Sequence, residues 1–392
     1  MRFESWIPML RWEDIVNAED TSERREYGRM CSGITVFRQG RALVVLMPNE
    51  RFRTLSSGFT NGGFMDSPQA VINVTSMGGK VEYDCMRAGL KSYDEMNNVY
   101  AGRLGLDPER TVHLGTAANM DNAAVINKVS SDGVKVSIAI TGGIRHNGGR
   151  SGDPTTYDES AARYREDPGT IISIMSIDAD LSDSAMFQAM LMVTESKSCV
   201  IQELQARSLY SVGIATGSGT DQVAIISNRN SDNKIDTIAR DSGLARAIAE
   251  CAKEGLRETF DRQSGMTPKD QWDPLVLMSR YNMNAIRDEI RFGATMDELL
   301  SALEVIRKDS YSTAVVSAVL NVADDVRNGL ITEEEGVRAA KAFVEDLALD
   351  EVIDPVERLR LDSNDTVIDL LSYACALKLI QTVRKRRAED GQ

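Results

Sequence analysis

The sequence predicts a mixed α/β sheet domain over residues 1–265, followed by an all-α helical domain over residues 266–392. Before residue 265, β-rich runs such as "ALVVLMP", "VKVSIAITGG" and "DQVAIIS" alternate with glycine-rich turns and a few helical stretches. After "DRQSGMTPKDQWDP" the strand patterns stop and amphipathic helical patterns follow. A chain of 392 residues is long enough for two such domains.

The strand runs of the first domain are almost continuously apolar. "AVINVTS" and "GTIISIMSI" join the three runs above in this pattern, which is typical of strands that are covered on both faces. We therefore expect a largely buried sheet.

One helix of this domain carries an unusual lysine. The stretch "SDSAMFQAMLMVTESKSCVIQELQ" predicts a helix capped by Ser182, because apolar residues recur at helical spacing. These residues are Met186, Met190, Val193, Val200 and Leu204. Lys197 falls inside this stripe, Thr194 lies near it, and Glu195 projects toward its edge. A lysine in that position must reach out to solvent, pair with an acid, or lose its proton.

The second domain is predicted to consist of helices, two of which begin at capping motifs. Thr295 with Glu298 and Thr332 with Glu335 form capping boxes, each ahead of an amphipathic segment. We expect these helices to be able to dock a second copy of the chain or another protein through their apolar stripes.

Composition excludes several classes of protein. A formal net charge of -14 argues against a nucleic-acid binder or a protein of anionic membrane surfaces. The five cysteines are scattered without a C-x-x-C pair, and no histidine stands at metal-ligand spacing, so we predict no metal site and a reduced, cytoplasmic setting. The start "MRFESWIPML" carries charge where a signal peptide needs an apolar core, and the sequence contains no apolar run of membrane-spanning length.

The glycine-rich loop "ATGSGTD" offers a place for chemistry. Gly217 and Gly219 allow a tight turn whose backbone amides could hold an anion or an oxyanion, although an ordinary small-residue turn is equally compatible. Asp221 closes the loop and is a candidate partner for Lys197.

Two further clusters stand in loops. In "FTNGGF", Asn61 beside two glycines either offers its amide to a ligand or stabilises a turn. The loop "TGGIRHNGGRSGDP" follows a buried strand and collects polar side chains, as ligand-contacting loops often do. His146 in this loop is either a general base or a surface group, and His113 in "TVHLGTAANM" is expected to be a semi-buried histidine with satisfied hydrogen bonds.

Together these motifs resemble the adenosylcobinamide amidohydrolases of archaeal and bacterial corrinoid salvage. The resemblance covers about residues 50–260 and rests on "LSSGFTNGG", "GTAANM", "ITGGIRHNGGRSGD", "GTIISI", "VTESKS" and "ATGSGTD", in family order. It implies hydrolysis of the amide between aminopropanol and a corrin-ring propionate, giving adenosylcobyric acid. The implied substrate is a small-molecule corrinoid that carries its own cobalt, and no further cofactor is implied.

The resemblance assigns residues to roles. It implies catalytic roles for Thr194, Glu195, Lys197 and Asp221. With the loop argument, it places substrate binding at Asn61, Gly62, Gly63, Thr141, Arg145, Asn147, Thr216, Gly217, Ser218, Gly219 and Thr220. Two positions depart from the family pattern: Ile172 stands where an asparagine is usual, and residues 239–243 lie in a segment that usually carries a histidine.

Residue chemistry suggests a mechanism for amide hydrolysis. Glu195 is the candidate general base, because burial at the edge of an apolar stripe would raise its pKa. Lys197 would pair with Asp221 and polarise the carbonyl, and the amides of Gly217 to Gly219 would complete an oxyanion site. Water, a threonine or a serine would be the nucleophile. The alternatives are an ordinary buried ion-pair network and, because of the two departures, a corrinoid-binding or sensing protein without activity.

Overall fold

The computed structural model describes residues 19–75, 93–154, 157–158, 163–164, 170–281, 294–348, 358–359, 361 and 365–391. The chain divides into two compact units, Met1–Thr267 and Pro268–Gln392. The predicted fold class is confirmed, since the first unit combines sheets with helices and the described part of the second contains helices only.

The strands that the structure describes all belong to the first unit. They are β1 (Arg24–Arg29), β2 (Thr35–Gln39), β3 (Ala42–Leu46), β4 (Phe52–Ser56), β5 (Gly63–Asp66), β6 (Ala70–Thr75), β7 (Thr111–Thr116), β8 (Ala124–Val129), β9 (Lys135–Thr141), β10 (Tyr157–Asp158), β11 (Arg163–Tyr164), β12 (Ile172–Ile177), β13 (Asp180–Leu181), β14 (Gln222–Asn228) and β15 (Lys234–Ile235). The five apolar runs named above are β3, β6, β9, β12 and β14, so the strand predictions there are confirmed.

Among the described residues, three helices accompany these strands, and six helices with described bounds lie in the second unit. The first three are α1 (Tyr93–Arg103), α2 (Asp183–Glu203) and α3 (Gly243–Ser264). The others are α4 (Pro268–Gln271), α5 (Pro274–Met278), α6 (Met296–Lys308), α7 (Ser310–Arg327), α8 (Glu333–Ala348) and α9 (Val367–Asp390).

The first unit contains two large sheets rather than one. One has the order β1-β2-β3-β6-β7 and the other β5-β4-β14-β12-β9-β8. Neighbouring strands are antiparallel, except that β6 pairs with β7, and β12 with β14, in parallel. Helix α2 connects β12 to β14, so its C-terminal half lies near the start of β14, as expected for a β-α-β crossover.

Three apolar layers hold the first unit together. The two sheets pack face to face through residues such as Val45 and Ile174. Helices α2 and α3 cover the outer face of the six-stranded sheet, and α1 covers the outer face of the five-stranded sheet. Strands β3 and β12 are therefore apolar on both faces because each lies between two layers.

The second unit has its own cores. One lies among α5, α7, α8 and α9, and a smaller one joins α6 to α9. Both predicted capping boxes are confirmed: the backbone N–H of Glu298 donates to Thr295 Oγ1, and that of Glu335 to Thr332 Oγ1, each at 3.3 Å. Within the described ranges, the structure has no helix that combines the length and the apolar character needed to cross a membrane.

Candidate functional site

The lysine on the apolar stripe of α2 is paired. Lys197 Nζ lies 2.5 Å from Asp221 Oδ2, and the two side chains are only 14% and 12% exposed. The stripe itself is confirmed, because Met186, Val193, Val200 and Leu204 are buried and Met190 packs against them. The predicted pairing of Lys197 with Asp221 is therefore confirmed, and it explains how an ammonium group is tolerated in this position.

Asp221 is held by more than the lysine. Its Oδ1 accepts a hydrogen bond from the backbone N–H of Ile171 at 2.9 Å and one from Ser218 Oγ at 2.5 Å. The backbone N–H of Ser218 donates to Oδ2 at 3.0 Å. This carboxylate therefore joins the glycine loop, helix α2 and the residue that precedes β12.

A glycine is required beside the pair. A Cβ atom at Gly217 would stand 2.3 Å from Asp221 Oδ2 and 2.8 Å from Lys197 Nζ, closer than real contacts allow. The backbone of Gly217 also bridges Gly149, whose N–H donates to the Gly217 carbonyl at 2.9 Å. The bridge brings "HNGGR" and "ATGSGTD" together, which sequence spacing alone did not indicate.

Hydroxyl groups at the ends of several strands gather at the same end of the unit. The hydroxyls of Thr170 and Thr220 are hydrogen-bonded to each other. Thr116 Oγ1 donates to the carbonyl of Thr170 at 3.2 Å. The motif "GTAANM" thus reaches the glycine loop through Thr170, a residue that the sequence analysis did not select.

The loop after β9 is anchored by a second carboxylate. Asp153 Oδ2 accepts hydrogen bonds from the backbone N–H of Arg150 at 2.6 Å and from Ser208 Oγ at 2.5 Å. Burial alone would raise the pKa of this carboxyl group, but these hydrogen bonds outweigh it and lower the pKa below its usual range. Arg150 also donates to the carbonyl of Ile214 at 3.0 Å, so this arginine fastens two loops together.

Two predicted catalytic residues lie apart from the pair. Glu195 is 54% exposed and lies 3.3 Å from Arg240, so the predicted burial of its carboxylate is wrong. Residues two positions apart on a helix point to different sides, which separates Glu195 from Lys197. Thr194 is exposed, and its hydroxyl donates to the carbonyl of Met190 at 3.0 Å, one turn earlier in α2.

The asparagine–glycine cluster forms a turn. Asn61 has a positive φ of 57°, and its side-chain amide donates to the carbonyls of Pro108 and Thr111, each at 2.8 Å. A Cβ atom at Gly62 would meet the Gly58 carbonyl at 2.3 Å, and Gly63 has a φ of 82°. The turn interpretation therefore accounts for all three residues, and the Asn61 amide donates to protein carbonyls.

The other candidate binding residues are distributed over the same loops. Thr216 Oγ1 accepts from the N–H of Ser151 at 2.9 Å, and Arg145 Nε donates to the carbonyl of Ser264 at 3.1 Å. Asn147 is partly exposed, and His146 and Gly219 are exposed. The predicted oxyanion site loses two of its amides, because the N–H groups of Gly217 and Ser218 donate to Gly149 O and Asp221.

Ile172, which differs from the family pattern, and Thr141 lie on the face of the six-stranded sheet that is turned away from α2. Ile172 pairs with Thr141 on one side and with Gln222 on the other, and all three side chains are buried. Directly paired residues share a face, and Ile172 packs between the sheets, whereas Asp221 turns toward α2. The Thr141 hydroxyl accepts from Asn73 Nδ2 at 2.8 Å. The departure at Ile172 therefore leaves the surroundings of the ion pair intact.

The second departure, residues 239–243, leads into α3. Arg240 contributes the partner of Glu195, and Ser242 caps the helix by accepting from the N–H of Ala245 at 3.1 Å. This segment therefore caps helix α3 and supplies the ion-pair partner of Glu195.

His113 differs from the expectation. It is buried on β7, and neither of its ring nitrogens has a hydrogen-bond partner among the described residues, so the predicted satisfied histidine is wrong. Burial lowers its pKa from 6.5 to about 4, with a small opposing effect from Asp94. The part of the chain that the structure describes also contains no cluster of three or more His, Cys, Asp or Glu side chains arranged for a metal ion.

Comparison with known proteins supplies the family. The pattern of the family described as adenosylcobinamide amidohydrolase matches residues 28–268. An uncharacterised protein of Methanocaldococcus jannaschii is 30% identical over 184 residues, which cover 44% of this chain and 71% of that protein. A crystal structure of a Pyrococcus horikoshii protein aligns at 11% identity over 67% of this chain and 91% of that one, with a TM-score of 0.31, too low to indicate a shared fold.

The family match spans both sheets except for most of β1, together with helices α1 to α3 and every residue of the ion-pair site described above. The chain belongs to the adenosylcobinamide amidohydrolase family.

Proposed function

We propose that the first unit hydrolyses the amide that joins aminopropanol to a propionate side chain of the corrin ring in adenosylcobinamide or a related corrinoid. The product would be adenosylcobyric acid for cobalamin salvage. The Lys197–Asp221 pair supports this proposal most strongly, because it places an ammonium, a carboxylate and a serine hydroxyl together inside the family match. The cobalt belongs to the substrate, and the protein supplies no cofactor.

The arrangement suggests a role for each group. Ser218 is the best-placed nucleophile, since its hydroxyl already donates to Asp221 Oδ1 at 2.5 Å. As Ser218 Oγ bonds to the carbonyl carbon, its proton passes to Asp221 and the carbonyl electrons move onto oxygen. The Lys197 ammonium stabilises that oxyanion.

Collapse of the intermediate breaks the carbon–nitrogen bond. The departing amine takes a proton from Lys197, and Lys197 recovers one from Asp221. Water then cleaves the serine ester by the reverse sequence of proton transfers and releases the carboxylate product. A water molecule held in place of the Ser218 oxygen would give the same products without the ester, and Ser218→Ala would then keep substantial turnover.

The first test is direct. Purified protein is incubated with adenosylcobinamide, with and without a chelator, and the corrinoids are separated by chromatography. We expect a more anionic corrinoid and free aminopropanol in both samples, and neither with Lys197→Met. Recovery of unchanged adenosylcobinamide from the wild type would refute the proposal.

A second candidate function is a corrinoid-binding or sensing protein without hydrolysis. The exposure of Glu195, which leaves the site without the predicted general base, favours it. In the same experiment this function would leave the substrate unchanged but co-eluting with the protein.

A further inference from the structure

One peptide group of the loop after β9 contacts the glycine loop and a carboxylate at the same time. The carbonyl of Gly149 accepts hydrogen bonds from the backbone N–H groups of Thr216 at 2.8 Å and Gly217 at 3.2 Å. The N–H of Arg150, which belongs to the same peptide group, donates to Asp153 Oδ2 at 2.6 Å. Because a trans peptide group is planar, its C=O and N–H point in opposite directions and turn together. The Asp153 carboxylate therefore fixes the orientation of the carbonyl to which Gly217 donates.

Asp153 is itself held by the segment that leads from α2 to the glycine loop. Ser208 Oγ donates to the same Asp153 oxygen at 2.5 Å, and the Ser208 side chain is buried. The backbone N–H of Ser208 donates to the carbonyl of Gly213 at 2.9 Å, so this serine is fixed within its own segment. One oxygen of Asp153 therefore joins the loop after β9 to the segment that carries the glycine loop. Hydrogen bonds to an ionised carboxylate are stronger than those between neutral groups.

The position of Gly217 in turn determines the geometry of the ion pair. Its Cα lies so close to the pair that an added Cβ would stand 2.3 Å from Asp221 Oδ2 and 2.8 Å from Lys197 Nζ. The next residue, Ser218, donates its backbone N–H to Asp221 Oδ2 at 3.0 Å. A displacement of Gly217 would therefore move Ser218 and change the contacts of Asp221. In an active site, a displacement of about 1 Å is enough to lower turnover about 100-fold.

These contacts form an unbroken path from a carboxylate outside the predicted site to the ion pair, and each step lies among the described residues. We propose that Asp153 is a positioning residue, which holds the ion pair in its reactive geometry through the peptide group of Gly149 and Arg150. No step of this path requires Asp153 to touch the substrate. The inference rests on the proposed function for the reaction that the ion pair performs.

The test removes the carboxylate and measures turnover and local opening separately. Asp153→Ala loses both hydrogen bonds, whereas the amide oxygen of Asp153→Asn can accept both. Kinetics with adenosylcobinamide give kcat and KM. Hydrogen–deuterium exchange of the full chain reports the opening of the Thr216 and Gly217 amides, with the amides of β12 as the reference for opening of the whole unit.

The loops should stay together in the variants. Arg150 Nη1 donates to the carbonyl of Ile214 at 3.0 Å, and the N–H of Ser151 donates to Thr216 Oγ1 at 2.9 Å, both without Asp153. Where Asp153→Ala does not fold, Asp153→Glu takes its place, because it keeps the charge but moves the carboxylate outward by one methylene group. The same losses are expected of it.

We expect Asp153→Ala to lower kcat at least about tenfold and to leave KM within about twofold of the wild type. Exchange at Thr216 and Gly217 should become at least about tenfold faster, while exchange in β12 is unchanged. Asp153→Asn should bring kcat and exchange to within about threefold of the wild type.

Asp309→Ala is the matched control. Asp309 also accepts from a backbone N–H and a serine hydroxyl, both of Ser312, at 3.2 and 2.5 Å, but it lies in the second unit. This variant should leave kcat, KM and exchange at Gly217 unchanged.

Each other outcome has a separate meaning. Wild-type exchange at Gly217 in Asp153→Ala overturns the inference whatever happens to kcat, because another contact then holds the glycine loop. Faster exchange with wild-type kcat also overturns it, since Asp153 then only stabilises the loop, and a rise in KM alone would make Asp153 a substrate contact. If the wild type leaves adenosylcobinamide unchanged, the amidohydrolase is refuted. Exchange at Gly217 that is faster in Asp153→Ala but not in Asp153→Asn would then still support the positioning role.

Discussion

Replacing Gly217 with alanine tests whether the ion pair depends on the absence of a side chain. The added Cβ would lie 2.3 Å from Asp221 Oδ2, and ordinary contacts begin at 3.4 Å, so the carboxylate must move by about 1 Å. That displacement lengthens or breaks the 2.5 Å bond to Lys197. Since both charges remain and can take up water, the expected cost is about 1–3 kcal/mol of unfolding free energy, offset in part by the lower entropy of the unfolded chain.

The assay pairs urea unfolding, followed by circular dichroism, with turnover of adenosylcobinamide. Gly102→Ala is the control, because Gly102 is exposed in α1 and a Cβ there meets nothing within 4 Å. It should stabilise the helix by about 0.5–1 kcal/mol and leave turnover unchanged. We expect Gly217→Ala to remain folded and to lose at least about 100-fold in turnover. Wild-type stability and wild-type turnover in this variant would refute the steric argument.

The remaining predictions concern three side chains. Lys197→Met should fold, because Asp221 keeps its three hydrogen bonds from Ser218 and Ile171. It should lose turnover, because no ammonium group remains to stabilise the oxyanion; a folded and fully active variant would reduce the pair to a structural role. Glu195→Gln should change stability by less than about 0.5 kcal/mol and leave turnover unaffected, since its partner Arg240 is exposed; a large fall in turnover would restore Glu195 as the base. His113 binds its proton at about pH 4 in the folded chain and at 6.5 in the unfolded chain, so the free energy of unfolding should fall by about 3 kcal/mol as the pH drops from 6.5 to 4. His113→Phe should flatten that part of the pH profile, and an unchanged slope would contradict the assignment.

The central pair could be predicted because its cause is local. Pairing with an acid is one of three ways to accommodate a lysine inside an apolar stripe, and Asp221 follows the loop that returns from α2 to the sheet. The fold class and the capping boxes of α6 and α8 also depend on short-range patterns that the sequence displays directly.

The rest depends on long-range contacts that short-range patterns do not reveal. Continuously apolar runs indicate buried strands but not how many sheets they form, and here they are divided between two. The pairing of Gly149 with Gly217 and of Thr170 with Thr220 joins residues that are 68 and 50 positions apart. The position of Glu195 around α2 follows from helical spacing, but its contact with Arg240 does not. That contact accompanies the exposure of the Glu195 carboxylate.

The hydrogen bond from the Ile171 amide to Asp221 Oδ1, 2.9 Å long, ties the entrance of a central strand to the state of the ion pair. An amide proton that donates to a carboxylate is sensitive to the charge on that carboxylate. The Ile171 resonance in a nitrogen–proton correlation spectrum is therefore a natural probe of the site, one that needs no chemical tag or substitution. If a ligand displaces Lys197 from Asp221, this resonance should move, and its movement would follow in the intact chain the event on which the proposed catalysis depends.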